Sequence, residues 1–412
     1  MILGQFIGPN AMAAVNMASP FFNIVSCLAI LIAIGGNTLV GISLGEQNRD
    51  RANHYFNNAV MALFIIAAII WAAVVFFPAP LAQAVGANDV LLPFVTQYIQ
   101  TFGFFVIPII FNIILGISLQ SIGKPQLYMI GNMLTMGINI ALDLLFICVF
   151  DWGIFGAALA SGISAAIVFV LFLSKFIRKD GILKIGRCHF DFPALLQMAY
   201  NGSSEAIMQL CDGLANLIFN WLLITKFGEY GVSAFAAVQY ISLAIHAIIM
   251  GMSRGIAAAI SVNFGGKRIK RVREILSLAV KAVTVTGILC TVFLLLFQHP
   301  LISVFVKGNS EVFETAKEII TYYSFSFLFV GVNVVINTFY TAVNDPKTSA
   351  GLAVIRFALL ICAFFVLPFL IGDIGLWLSF AFAELVCLLI GALTLKKLHG
   401  KWTANCSATD TY

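Results

Sequence analysis

The chain has 412 residues, of which 61% are hydrophobic and only 10% are charged, and its mean hydropathy is +1.01. A soluble domain carries about a quarter charged residues, so this composition excludes an ordinary soluble enzyme and predicts an integral membrane protein. The net charge of +5 needs no nucleic-acid partner, because the basic residues are concentrated in loops between apolar stretches.

Apolar stretches long enough to cross a membrane follow one another along the chain. A helix needs roughly 20 apolar residues to cross about 30 Å of hydrocarbon, and we predict eleven such spans. They lie at 21–44, 55–77, 91–122, 126–150, 153–174, 194–225, 232–264, 275–297, 319–343, 349–371 and 374–395. The sequence therefore predicts an all-α membrane protein.

The chain also repeats itself. LGEQNRDRA at 44–52 returns as FGGKRIKRV at 264–272, and IGKP at 122–125 returns as VNDP at 343–346, each time about 220 residues later. A long internal repeat in an apolar chain is typical of the duplicated bundles of secondary transporters. Five spans belong to the first copy and six to the second. We therefore expect a twelve-helix plan whose first helix would lie almost wholly before Met1, so that the chain lacks it.

Lysine and arginine set the expected orientation, because they favour cytoplasmic loops. Most of the 23 fall in alternate loops, which places the C-terminus in the cytoplasm. A complete half would have six crossings, an even number, so both halves enter from the same face as a parallel repeat. The predicted parts are an N-terminal lobe at 1–174, a cytoplasmic linker at 175–193, a C-terminal lobe at 194–397 and a cytoplasmic tail at 398–412.

Polar residues at membrane depth are the candidates for function, because each costs free energy there unless it is paired or hydrated. One face of the span at 126–150 carries such residues, spaced by four, three and four positions. They are Asn132, Asn139 and Asp143, with the apolar Met136 on the same face between the two asparagines. The amides could line a water-filled cavity or tie helices together, whereas a carboxylate such as Asp143 favours binding of an ion or a substrate.

Two more spans carry polar stripes at helical spacing. The stripe at 194–225 consists of Glu205, Gln209, Asp212, Asn216 and Asn220, and the stripe at 319–343 consists of Asn333, Asn337 and Tyr340. We expect Glu205 to take part in cation coupling and the other members to line a substrate cavity. Packing between helices is the alternative for each amide.

Three charged residues in the second half leave alternatives open. Arg254 and Arg356 could extend to the cytoplasmic interface, and Arg254 could instead pair with Glu205. Glu384 could pair with Arg356 or face the cavity, and the sequence does not decide between these arrangements.

Signatures of soluble enzymes are missing from the sequence. It has no phosphate-binding glycine loop with its lysine, no HExxH pair and no nucleophile elbow. We therefore expect that the chain is not an enzyme and needs no cofactor, and that its energy source is an ion gradient rather than ATP.

Several segments together resemble the multidrug and toxic compound extrusion (MATE) transporters of the flippase-like superfamily, over essentially the whole chain. They are GQFIGPNAMAAVNMASP at 4–20, NTLVGISLGE at 37–46, NIALDLLFI at 139–147, GIFGAALAS at 153–161 and NGSSEAIMQL at 201–210. The segment FNWLLITKFGEYGVSAFAAVQYIS at 219–242 looks most like the bacterial MepA and DinF-like branch.

The resemblance implies twelve helices in two lobes and antiport of a cation against an organic substrate. In similar transporters an aspartate on the fifth helix, with an asparagine one turn earlier, couples to H+ or Na+, and Asp143 and Asn139 match that pair. An acid on the seventh helix is used in another branch, where Glu205 is the nearest match. That branch has a further acid on the tenth helix, which here has only amides such as Asn333. An aspartate ahead of GQFIG would fall before Met1, and Asn220 occupies its place in the second lobe.

The sequence thus predicts an H+ or Na+ antiporter in the bacterial plasma membrane. It would export small organic cations by alternating access, surrounded by lipids and working as a monomer, with Asp143 and Asn139 as a possible Na+ site. Acids outnumber bases at membrane depth, which favours cations over the anionic substrates of a lipid or polysaccharide flippase, the first alternative. The second is a truncated remnant that does not transport, which the DNA upstream of Met1 would reveal.

Overall fold

The computed structural model describes residues 9–87, 89–177, 181–186, 189–306 and 310–409, and every regular element in this part of the chain is helical. The first seven helices are α1 Pro9–Gly45, α2 Arg49–Phe76, α3 Pro78–Ala84, α4 Leu92–Phe104, α5 Val106–Ser121, α6 Pro125–Asp143 and α7 Gly153–Phe176. The other seven are α8 Phe192–Gly228, α9 Tyr230–Gly265, α10 Ile269–Phe305, α11 Ser310–Tyr323, α12 Phe327–Ala342, α13 Pro346–Ile371 and α14 Asp373–Thr409.

The described helices confirm the predicted spans. Ten spans in the described part of the chain, each a single helix or helices that follow one another without a break, are long and apolar enough to cross a membrane. Helices α4 and α5 together form an eleventh span, which is bent by 50°. The chain is therefore a multi-pass membrane protein. The first span begins earlier than predicted, because Pro20 lies inside α1 rather than at its start. Neighbouring helices and hydroxyl side chains can accommodate a proline inside a transmembrane helix.

The repeat is visible in the turns between helices. Three pairs of turn residues, each pair about 220 positions apart, have left-handed φ angles between 55° and 77°. The pairs are Gln47 with Lys267, Gly123 with Asn344, and Asp151 with Gly372. Side chains disfavour this conformation, so its recurrence at matching positions shows that the two copies end their helices in the same way.

The interrupted spans also match. In the first copy the break between α4 and α5 falls at Phe105, and in the second copy the short 3₁₀ helix Ser324–Ser326 separates α11 from α12. These two breaks are again about 220 residues apart. The duplicated plan therefore extends to the interruptions of its helices.

Two compact units make up the structure. Unit 1 covers the described residues up to Ala206 together with Ser261–Lys267, and unit 2 covers Ile207–Ile260 and the described residues from Arg268 onward. The lobes at 1–174 and 194–397 stay a prediction, since the units follow contacts rather than the repeat.

Each unit has its own apolar core. In unit 1 Phe56 stacks on Phe176 with ring centroids 5.2 Å apart. In unit 2 the fully buried Phe219 ring contacts the rings of Phe235, Phe364 and Phe380 at 4.5 to 4.9 Å. These aromatic contacts pack the helices tightly in each unit.

Helix α1 approaches its neighbours in unit 1 through glycines. A side chain added at Gly35 would overlap the backbone of Met198, and one added at Gly202 would overlap the backbone of Leu31. Backbone atoms cannot rotate away as a side chain can, so these positions require glycine. Small residues of this kind let transmembrane helices pack at short distance.

Side chains of α2 hold part of the linker. Asn53 accepts a hydrogen bond from Lys184 N at 2.9 Å and donates to Ile182 O at 3.1 Å. Asn57 accepts from Gly186 N at 2.9 Å and donates to Lys184 O at 3.0 Å. The two amides thus bind alternate peptide groups of this segment, as a neighbouring β-strand would.

The end of the linker is fixed to α2 as well. Asp191 N donates to Asn58 Oδ1 at 2.8 Å, and the Asp191 carboxylate contacts His54 Nε2 at 2.9 Å. The same carboxylate caps α8 by accepting from Ala194 N. The hydrogen bond with His54 and the bond from Ala194 hold the pKa of Asp191 below its ordinary value.

Candidate functional site

Asp143 ends α6 at an unusual point of the backbone. The helix continues directly into a π-helix at Leu144–Val149, a rare geometry that is frequent at functional sites. Asp143 Oδ1 is buried, and no hydrogen bond reaches it from the described part of the chain. A buried carboxylate oxygen without a donor is costly and is suited to receiving a proton or a cation.

Asn139 lies one turn before Asp143. Its Nδ2 donates to Ser161 Oγ on α7 at 3.0 Å, so its carbonyl oxygen is the atom suited to ligating a cation. Asn132 and Met136 lie on the same helix, and both are exposed. The first half of the predicted stripe therefore faces away from the core of unit 1, in which Gly131 is the buried residue of this helix, whereas Asn139 and Asp143 are half-buried.

Glu205 lies on α8, on the unit 1 side of the boundary between the units, and is half-buried. The remaining residues of its stripe belong to unit 2. The helix thus contributes its predicted polar residues to both units.

Unit 2 contains a cavity of about 490 Å³, a volume within the usual range for small-molecule sites. Its polar lining consists of Asp212, Asn216, Gln239, Ser242, His246, Ser326, Arg356 and Glu384, and its aromatic lining consists of Phe235, Tyr240, Tyr323 and Phe380. The cavity combines charged groups with ring faces, an arrangement that suits an organic ion.

One guanidinium bridges two carboxylates at the wall of this cavity. Arg356 Nε donates to Glu384 Oε1 at 2.6 Å, and Arg356 Nη1 donates to Asp212 Oδ1 at 3.1 Å. Asn333 Nδ2 donates to Glu384 Oε2 at 2.6 Å and to Glu384 O at 2.8 Å. We call Asp212, Arg356 and Glu384 the ion cluster; with two negative charges and one positive charge, its formal charge is −1.

The members of the ion cluster differ in exposure. The side chain of Asp212 is 47% exposed, that of Arg356 is 18% exposed and that of Glu384 is 7% exposed. The arrangement answers the question that the sequence left open, since Glu384 both lines the cavity and pairs with Arg356. Asn333 lies behind Glu384 and supports it.

The other predicted residues of unit 2 divide into two groups. Asn216 lines the cavity and accepts a hydrogen bond from Gln239 Nε2 at 2.6 Å. Gln209 and Asn220 are half-buried, Asn337 and Tyr340 are buried, and none of the four is among the residues that line this cavity. Asp212 of the second stripe and Asn333 of the third stripe are thus joined through Arg356 and Glu384.

Sequence reasoning missed two features of these sites. The contact of Ser161 with Asn139 joins two helices, and the spacing along one span carries no signal for it. The second is the bond from Arg356 to Asp212, which joins α13 to α8 and has no signal in the spacing of either span. The pairing of Arg356 with Glu384, by contrast, is one of the arrangements that the sequence leaves open.

Comparison with known proteins agrees with the architecture. The MatE family model matches residues 1–145 and 206–367. The multidrug export protein MepA of Staphylococcus saprophyticus is 25% identical over 407 residues, covering 97% of this chain and 89% of the relative. The MepA protein of Staphylococcus aureus strain MSSA476 is 22% identical, covering 98% of this chain and 90% of the relative.

Solved structures share the fold. An outward-facing multidrug resistance MATE family transporter of the MOP superfamily superimposes with a TM-score of 0.90 at 18% identity, over 97% of this chain and 92% of that one. A MOP superfamily transporter from Pyrococcus furiosus superimposes with a TM-score of 0.88 at 19% identity, over 97% and 91% of the two chains. With a family model that matches most of its length, the chain belongs to the MATE (MatE) family of membrane transporters.

Proposed function

We propose that this protein exports small organic cations from the cell in exchange for H+ or Na+. The observation that carries the proposal is Asp143, a carboxylate within a membrane span whose Oδ1 is buried without a hydrogen-bond donor in the described residues, beside a π-helix. The relatives named MepA are multidrug export proteins, which supports export of varied small molecules.

Asp143 is the coupling acid in this mechanism. Binding a proton or Na+ neutralises its charge and removes the cost of the buried oxygen. The Asn139 carbonyl is placed one helical turn away to share a bound cation. A cation bound more tightly in one conformation than in the other shifts the balance between inward-open and outward-open states, and through this shift the ion gradient drives transport.

The charge of the ion cluster supports a cationic substrate. A cavity wall with a formal charge of −1 and nearby aromatic rings attracts an organic cation. It repels the anionic headgroups that a lipid or polysaccharide flippase would carry. We propose in addition that the protein works as a monomer in the bacterial plasma membrane, with its C-terminus in the cytoplasm.

Transport by purified protein in proteoliposomes tests the coupling role. Efflux of a fluorescent organic cation is measured under an imposed H+ gradient and, separately, under an imposed Na+ gradient. Asp143→Asn is expected to reduce gradient-driven efflux to the rate of protein-free liposomes. Asp89→Asn, which neutralises an exposed acid between α3 and α4, serves as the matched control and should transport normally. Undiminished efflux by Asp143→Asn would remove Asp143 from the coupling role.

A further inference from the structure

We propose that the Arg356 guanidinium is paired with Asp212 until an organic cation displaces it from this carboxylate. Arg356 thereby limits the cavity of unit 2 to monovalent cations. This inference rests on the proposed function, because it assumes that the substrate is a cation. It adds a residue that sets the substrate's charge, which neither the family match nor the relatives assign.

The two bonds of Arg356 are unequal. The Glu384 carboxylate is almost fully buried, and both of its oxygens accept hydrogen bonds of 2.6 Å, one from Arg356 Nε and one from Asn333 Nδ2. Asp212 accepts the longer bond of 3.1 Å, and nearly half of its side chain is exposed. A cation that enters the cavity therefore competes with Arg356 for Asp212, while Arg356 stays bound to Glu384.

Exchange at Asp212 preserves the charge balance. With Arg356 present the ion cluster has a formal charge of −1, so one monovalent cation neutralises it. A divalent cation would leave an excess positive charge beside the Arg356 guanidinium. Like charges at short distance in a partly dehydrated site repel strongly, so Arg356 disfavours divalent substrates.

The surroundings of Asp212 suit a planar organic cation. Tyr323 and Phe380 line the same cavity, with ring centroids 4.9 Å apart in an edge-to-face contact. Ring faces near a carboxylate bind organic cations by cation–π attraction as well as by charge. A small inorganic ion would gain little from these rings.

Equilibrium binding of two matched dyes to the purified full-length protein in detergent tests the proposal. Ethidium is a planar monovalent cation, and propidium is its divalent relative. Binding is followed by fluorescence anisotropy without any ion gradient, so the result does not depend on coupling at Asp143. Each variant is first checked for a monodisperse elution profile.

The wild-type protein is expected to bind ethidium more tightly than propidium. Asp212→Asn should weaken ethidium binding by about tenfold or more, as expected for loss of a charged partner. Arg356→Gln removes the competing guanidinium, so it should strengthen ethidium binding and shift the preference toward propidium. Arg356→Lys keeps the positive charge and should not shift the preference. Glu384→Gln, which leaves the cluster neutral, should weaken ethidium binding.

The outcomes separate the two proposals. A folded Arg356→Gln protein with unchanged or weaker ethidium binding, and with no gain for propidium, overturns the role of Arg356 while leaving the cationic substrate in place. If Arg356→Gln does not fold, the other two variants decide in its place. A preference that Arg356→Lys shifts toward propidium, or ethidium binding that Glu384→Gln leaves unchanged, would overturn the role of Arg356. Absence of ethidium binding by the wild-type protein would count against the substrate class itself.

Discussion

Three carboxylates at membrane depth differ in the number of donors that reach them. Glu384 accepts from Arg356 and Asn333, Asp212 accepts from Arg356, and Asp143 Oδ1 has no donor in the described residues. The cost of a charge in the membrane falls as partners are added. Glu384 is therefore suited to a structural role, Asp212 to exchange of partners and Asp143 to ion binding.

Stability measurements should separate Glu384 from Asp212. Glu384→Ala removes a buried partner of Arg356 and is expected to cost about 3 kcal/mol. Asp212→Ala removes a partly exposed partner and should cost about 1 kcal/mol or less. Thermal unfolding in detergent, followed by tryptophan fluorescence, should give a lower melting temperature for Glu384→Ala. The double variant Glu384→Ala/Arg356→Leu should recover part of the loss, because it leaves no unpaired guanidinium. Equal melting temperatures for the two single variants would contradict this ranking.

The same residues show the limit of prediction at this scale. Helical spacing correctly places Asp212 and Asn216 on one face, because the geometry of a single helix determines that relation. It does not identify the neighbours of that face. Asn333, expected in the cavity lining, lies behind Glu384 because α12 packs against α14, and that contact depends on the folded arrangement of several helices.

At the scale of helices, close packing of α1 depends on glycine. Gly202→Val is expected to destabilise unit 1 by about 1–3 kcal/mol or more, because the added atoms would overlap the Leu31 backbone. Gly351→Ala is the matched control, since no atom lies within 4 Å of the added Cβ, and alanine should favour the helix by up to about 1 kcal/mol. Size-exclusion profiles and melting temperatures of both variants are the measurement. Normal behaviour of Gly202→Val would show that the two helices can separate at no cost.

The linker is the element that distinguishes the two copies of the repeat. Asn53 and Asn57 of α2 hold its backbone, whereas the positions 220 residues later are Arg273 and Ser277. The first copy thus carries a pair of amides that the second copy lacks. Their bonds explain how residues 181–186, which form neither helix nor strand, keep a defined position.

Proteolysis should report loss of these bonds. The variant Asn53→Ala/Asn57→Ala is expected to be cut by trypsin after Lys184 faster than the wild-type protein, because a protease must extract the peptide backbone that both amides bind. Ser174→Ala changes an exposed hydroxyl of α7 and should leave the cleavage rate unchanged. Mass spectrometry assigns the cleaved bond. Equal cleavage after Lys184 in the double variant and the wild-type protein would show that the amides do not protect the linker.

Over the whole molecule, hydropathy and the repeat were sufficient to predict the membrane spans. Span lengths follow from the thickness of the membrane, and the turns recur because left-handed residues such as Gln47 and Lys267 end helices in both copies. The start of α1 could not be predicted, since Pro20 usually indicates a helix boundary. The π-helix after Asp143 also has no signature in the hydropathy or the helical spacing of its span.

Membrane sidedness is the whole-molecule prediction that remains to be measured. Asp50 and Lys270 lie at matching positions of the repeat, 220 residues apart, and both are exposed at the start of a helix that follows a predicted cytoplasmic turn. In a protein whose eight cysteines are replaced by serine, Asp50→Cys and Lys270→Cys should both resist a membrane-impermeant maleimide in intact cells and react after the cells are opened. Asp89→Cys, on the predicted outer side, should react in intact cells. A parallel repeat keeps matching positions on one face of the membrane, so labelling of only one of residues 50 and 270 in intact cells would indicate an inverted repeat. Labelling of both residues in intact cells would show that the orientation is opposite to the one predicted from the basic loops.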